Sequence, residues 1–221
     1  MDGSPRFFFA VTAVFRFAVN IGFLERPLTI GFFWGLVTGD WALAVNTAIF
    51  FELFWLDLFP AGTYIPPNAV ASMLLVLGVS RYFGIDQAAL LAVPIMISLP
   101  AALLSAKVEY WQRRMQASGY NRIIRWGRKG EESDGAGRVI LLSLFQILAL
   151  HVVFLCACLL VLIGTISGMS WYLGHLPAVN GISWFHLWFV AGIGGIMSLR
   201  VRRSYALFLA ILACVTLLLS L

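Results

Sequence analysis

Long apolar blocks, broken by Gly, Pro and isolated charges, constrain this chain more than any other feature. Phe7 to Leu24, Leu28 to about Val37, Trp41 to Phe59, Ala69 to Phe83, Ala88 to Ala106, Val139 to Ile166, Trp184 to Leu199 and Tyr205 to Leu221 are all predominantly hydrophobic. Several approach or exceed the roughly 20 residues that cross a bilayer as a helix. With 61% hydrophobic residues, 11% charged and a mean hydropathy of +0.92, the chain in water would expose more apolar surface than a soluble domain tolerates. The reading is an all-α polytopic membrane protein. It has about six to eight spanning or re-entrant helices, with broken helices around a substrate site.

Charge divides the chain into three parts. Lys107, Arg113, Arg114, Arg122, Arg125, Arg128, Lys129 and Arg138 fall in one stretch, interleaved with Tyr110, Trp111, Tyr120 and Trp126. By the positive-inside rule this is cytoplasmic, and its amphipathic pattern predicts a loop lying partly at the membrane surface. The predicted organisation is a membrane half over 1–106, a basic cytoplasmic loop over 107–138 and a second membrane half over 139–221. Arg200, Arg202 and Arg203 return to the same side, and Ser167 to Ser183 reads as the loop opposite. Arg6 ahead of an apolar run mimics a signal peptide, but Arg16 interrupts it, so a retained first helix is expected. The net charge of +5 is accounted for by orientation and lipid headgroups and calls for no nucleic acid.

Polar residues inside the apolar run Asp40–Asn68, DWALAVNTAIFFELFWLDLFPAGTYIPPN, carry the chemistry. An ionised group at bilayer depth costs at least about 2.5 kcal/mol. Glu52 has no Lys or Arg within twenty residues on either side. Its partner is therefore distant in the chain, in another chain, a proton or a ligand. Asp57, near the end of its block before Pro60, is placed either to reach the interface or to serve the site. Asp40, directly after Gly39, is placed to cap the helix that follows. Asn46 shares a helix face with Asp57, and Asn68 follows Pro66-Pro67, where the backbone must be irregular. Irregular backbone at membrane depth is tolerated only where it is buried in protein or faces water. Short segments broken in this way line substrate sites in transporters. Among Trp41, Phe50, Phe51, Trp55 and Tyr64, these amides and carboxylates suit a polar solute, and more weakly a sugar.

Negative features narrow the chemistry further. Cys156 and Cys158 point to different sides of a helix and make a poor metal pair, and with Cys214 they read as small core residues. No metal-binding or nucleotide-binding motif is present, so no metal or cofactor is expected. His151, His175 and His186 read as structural.

The ordered residues Arg26-Pro27-Leu28, Gly39-Asp40, Glu52, Gly62 and Pro66-Pro67-Asn68 resemble the IIC membrane component of the mannose/fructose/sorbose family of the bacterial sugar phosphotransferase system. GIGGIMSLRVRRSYALFLAIL looks like its C-terminal region. Asn68 stands where many members have Asp, and Ala48, Ile49, Phe50 and Phe51 replace the usual glycines and threonine. The resemblance implies a multi-pass protein of the bacterial cytoplasmic (inner) membrane. It would work with a IID membrane subunit and soluble IIA and IIB components, and a trimer of IIC–IID pairs is the implied assembly. A hexose or amino sugar is the implied solute, and this chain itself carries no phosphorylated residue. The expected substrate-binding residues are Glu52 and Asn68, helped by Asn46 and Thr63, with Asp40 capping the site helix. The alternative is a non-transporting regulatory or scaffold subunit of a phosphotransferase complex. An ion-coupled carrier using Glu52 as a proton site ranks last.

Overall fold

The structure, a computed structural model, describes residues 26–56, 65–129 and 134–198, and side-chain environments within these except over 117–139. The expected first helix, Asp57, Thr63, Cys214, the Arg200 cluster and the last apolar run lie outside the described residues. Among those described, all regular structure is helical: α1 (Pro27–Thr38), α2 (Trp41–Phe54), α3 (Ala69–Phe83), α4 (Ala88–Lys129), α5 (Asp134–Leu173) and α6 (Trp184–Ser198).

Helices α1 and α2 form a tight hairpin, and its causes are local. Pro27 occupies the first position of α1, where its missing N–H costs nothing. Gly39 closes the helix at φ 79°, in the left-handed region, and donates its N–H to Gly35 O at 2.9 Å. Small residues then let the backbones meet. A Cβ added at Gly31 would lie 2.5 Å from Ala48 Cβ and 3.0 Å from Ala44 O. Helix α6 crosses α2 in the same manner, since a Cβ on Gly195 would collide with the Leu53 carbonyl. Trp188 Nε1 donates to Asn46 O at 3.0 Å and fixes that crossing.

Helix α3 is the centre of the molecule. Every residue from Val70 to Ser80 is buried, against α2, α4 and α5. A helix apolar on all faces is one enclosed by others. Phe50 and Phe51 of α2 are also buried, in the same core. Gly78 gives room for Leu159 of α5, and Ser72 Oγ donates to Ser98 O of α4 at 2.6 Å. Gly84, at φ 66°, ends α3 before α4 begins.

Helices α4 and α5 are far longer than the rest. At 42 and 40 residues they extend about 60 Å each, twice the hydrocarbon thickness. Ala88–Gln116 and Ile140–Leu173 are apolar enough to cross a membrane. The other helices hold 12 to 15 residues, short of a full crossing. Two boundaries differ from expectation. The basic stretch from 107 to 129 is helix, continuous with the apolar part of α4 through Pro94 and Pro100. The expected loop from Ser167 begins only at Gly174, because Gly168 is tolerated inside a membrane helix while Gly174, at φ 74°, ends it.

Candidate functional site

Three helix ends meet at one level. Helix α1 runs antiparallel to α2, so its start lies beside the last turns of α2. An ion pair between Arg81 Nη1 and Asp40 Oδ2, at 2.8 Å, ties the end of α3 to the start of α2. The antiparallel register so fixed brings the Glu52 end of α2 level with the start of α3. The N-terminus of α1, the positive end of a dipole, borders the carboxylate of Glu52.

Glu52 finds its partner in Arg26, distant in sequence as the charge spacing required. Arg26 Nη1 lies 2.9 Å from Glu52 Oε1. The Leu28 N–H, one of the donors that α1 cannot satisfy internally, points to Glu52 Oε2 at 3.4 Å. The carboxylate is 15% exposed and the guanidinium 34%, so the pair is partly sheltered and still reachable.

Asn68 caps α3. Its Oδ1 accepts the Ala71 N–H at 3.2 Å, while its own N–H donates to Ala102 O of α4 at 3.1 Å. The second bond anchors the irregular, half-buried Ile65–Asn68 segment to α4. Trp55, just past the end of α2, has a buried Nε1 without an acceptor.

The other expected site residues fall elsewhere. Asp40 occupies the first position before α2, but its side chain makes no cap hydrogen bond; Arg81, in the last turn of α3, takes the carboxylate instead. This corrects the expected capping role, and the reason is electrostatic: a nearby guanidinium outcompetes a neutral N–H. Asn46 is half-buried two turns from Glu52, with its backbone carbonyl held by Trp188.

Each histidine has a local contact. His151 is buried with Nδ1 2.9 Å from Ile147 O, and His175 Nδ1 lies 2.9 Å from Leu173 O. His186 Nδ1 accepts the Ser183 N–H at 3.1 Å, a reach back across the first turn of α6. No cluster of three or more metal-ligating side chains occurs among the described residues.

Sequence reasoning missed two features. Arg26 was matched only as part of a motif, although its place directly before Pro27 marks a helix start. Glu109 and Gln112, both buried on α4, were hidden within a stretch whose abundant basic residues suggested the membrane surface.

No curated protein and no solved structure matches the chain. Over residues 6–214, however, it matches the family described as the sorbose-specific IIC component of the phosphotransferase system. That match takes in all six helices and the Glu52–Asn68 level, and the chain belongs to this family of membrane-embedded sugar-transport components.

Proposed function

We propose that the chain is the sugar-binding and translocating subunit of a mannose-type phosphotransferase system in the bacterial inner membrane. It acts with a IID subunit and receives phosphorylating power from soluble IIA and IIB components. The observation that carries this reading is the partly sheltered Glu52 carboxylate, held by Arg26 and the N-terminus of α1 in the same bundle of short, broken helices that contains the Asn68 cap. Sugar hydroxyls both donate and accept. Glu52 supplies acceptors, Arg26 and the Trp55 indole supply donors, and Asn68 offers its amide at the cap. The aromatic face of Trp55 suits the C–H side of a pyranose. Asn46 and Thr63 are candidate contacts only, for a bound sugar, and Asp40 acts at a distance by tying α2 to α3.

The guanidinium gives the site a mechanism. With no solute bound, Arg26 neutralises Glu52. A sugar hydroxyl that donates to Oε1 competes with Nη1, so binding loosens the start of α1 from α2. That coupling of occupancy to helix position is what alternating access requires. The buried placement of Phe50 and Phe51 also favours transport over the regulatory alternative, since these rings fill the core instead of blocking a path.

The test is Glu52→Gln in the assembled IIC–IID complex, with equilibrium binding of labelled sorbose and mannose measured without phosphate donors. Glutamine keeps an acceptor for Leu28 N–H, so the complex should assemble and stay folded. Affinity is expected to fall about tenfold or more, as a charged hydrogen bond contributes about 1.5 to 3 kcal/mol. Unchanged affinity, or equal loss of binding and assembly, would remove Glu52 from the site.

A further inference from the structure

Helix α4 carries a line of buried polar side chains that the Glu52 site does not use. Ser98, Ser105, Glu109 and Gln112 are each 0–1% exposed. Their spacing keeps them on one stripe of the helix. The stripe passes Ala102, where the Asn68 N–H is anchored, and continues toward the basic end of the helix.

Two members of this line have clear partners. Ser98 Oγ donates to Ile95 O at 2.8 Å, and Glu109 Oε1 accepts from Arg113 Nη2 at 2.6 Å. Gln112 is different. It is completely buried, and neither its Nε2 nor its Oε1 has a hydrogen-bond partner. An unmade bond of this kind costs about 1 to 3 kcal/mol for each group. A leucine or methionine would fill the same space without that cost. The amide is therefore accounted for by a second state in which something polar reaches it.

The surroundings indicate what that is. Gln116 Nε2 donates to Ser143 O at 3.4 Å, and Gln146 Nε2 lies 4.0 Å from Met115 Sδ, which sets the antiparallel register of α4 and α5. One turn further along, Gln112 comes level with Ile147, and Glu109 with His151. A carbonyl only accepts, so His151 Nδ1 donates to Ile147 O, and Nε2 is the acceptor of the neutral ring. Carboxylate, amide and imidazole thus border one seam. The two contacts of 3.4 and 4.0 Å join the helices one turn away, and α5 is exposed on its outer side at Leu141, Leu142 and Phe145. Lys107, Arg113 and Arg114 stand exposed around it, cations suited to an anionic phosphate ester.

We propose that Gln112 and Glu109, with His151 across the seam, form a second station for the sugar, on the basic side of the Asn68 break. A polyhydroxylated solute occupies it when α4 and α5 part, and the carbohydrate hydroxyls then satisfy the amide. This inference rests on the sugar-transport reading above.

The experiment is Gln112→Met in the complex of this chain with IID, with IIA, IIB and the general phosphotransferase proteins supplied. Three quantities are read: thermal unfolding, equilibrium binding of labelled sorbose and mannose without phosphoenolpyruvate, and phosphoenolpyruvate-dependent uptake. Unfolding is expected at the same or a higher temperature and binding unchanged, with uptake lowered about tenfold or more. Gln112→Leu repeats the test with a different shape, in case one side chain packs badly. Uptake at the wild-type rate in either folded variant overturns the station, as does joint loss of stability and binding in both, which marks a merely structural amide. If the wild-type complex moves no hexose, the transport reading itself fails and the station falls with it. A wild-type complex that transports while the variants transport equally well removes the station alone.

Discussion

The partly buried pair of Glu52 and Arg26 is the residue-level feature on which the site depends. The two are neither fully exposed nor fully buried, so the pair lies between the near-zero contribution of a surface ion pair and the several kcal/mol lost when a buried one is broken. Arg26→Met strands the carboxylate and is expected to destabilise the protein by roughly 1 to 3 kcal/mol, and adding Glu52→Gln should recover much of that loss. A double-mutant cycle by thermal unfolding in detergent checks this, and strict additivity would show that the two side chains do not interact. At Asn68 the consequence is different. Asn68→Ala removes the α3 cap and should cost about 1 kcal/mol, whereas Asn68→Asp keeps a capping oxygen and should hold stability. Equal loss in both would mean that the amide nitrogen, not the capping oxygen, is what matters.

At the scale of elements, small residues decide where helices lie. Gly31 and Gly195 face backbone or Cβ atoms with no room for a methyl group, while Gly192 faces open space. Gly195→Ala is accordingly expected to displace α6 from α2 and to lower the midpoint of unfolding, at a cost of about 1 to 3 kcal/mol. Gly192→Ala should leave it nearly unchanged. Comparing the two by thermal unfolding isolates the crossing, and identical behaviour would contradict the close approach at Leu53. Much at this scale was legible in the sequence. Pro27, Gly39 and the Pro66-Pro67-Asn68 step mark the start and stop of α1 and the starts of α2 and α3, since each acts through its own backbone geometry. The partner of Glu52 was legible only as distant, because an ion pair across two helices leaves no local spacing to read. The capping role expected of Asp40 failed for the same reason: Arg81, forty-one positions away, was outside any local window. The continuity of α4 was hidden by composition, since a helix that leaves the bilayer changes from apolar to basic without a turn residue to mark the change.

The whole molecule combines a bundle of short helices with one long hairpin. The short helices around α3 hold the Glu52–Asn68 level in place, while α4 and α5 extend past it toward the basic residues. Both helices of the hairpin are long and apolar enough to cross a membrane, and a crossing would set its two ends on opposite sides. In a background lacking Cys156, Cys158 and Cys214, Arg114→Cys should react with an impermeant thiol reagent only from the cytoplasmic side. Trp171→Cys, at an 87% exposed position, should react only from the other. Labelling of both from one side would contradict the hairpin as a membrane crossing.

On the function proposed above, this chain carries sugar across a membrane as the sugar is phosphorylated. The most direct measurement is phosphoenolpyruvate-dependent uptake of labelled sorbose, mannose and other hexoses by vesicles containing this chain and its IID subunit. IIA, IIB and the general phosphotransferase proteins would be enclosed within. Accumulation of sugar phosphate in the lumen, abolished when phosphoenolpyruvate is left out, is the predicted result. A correctly assembled complex that takes up none of these sugars would contradict the account and leave the chain a non-transporting member of its family.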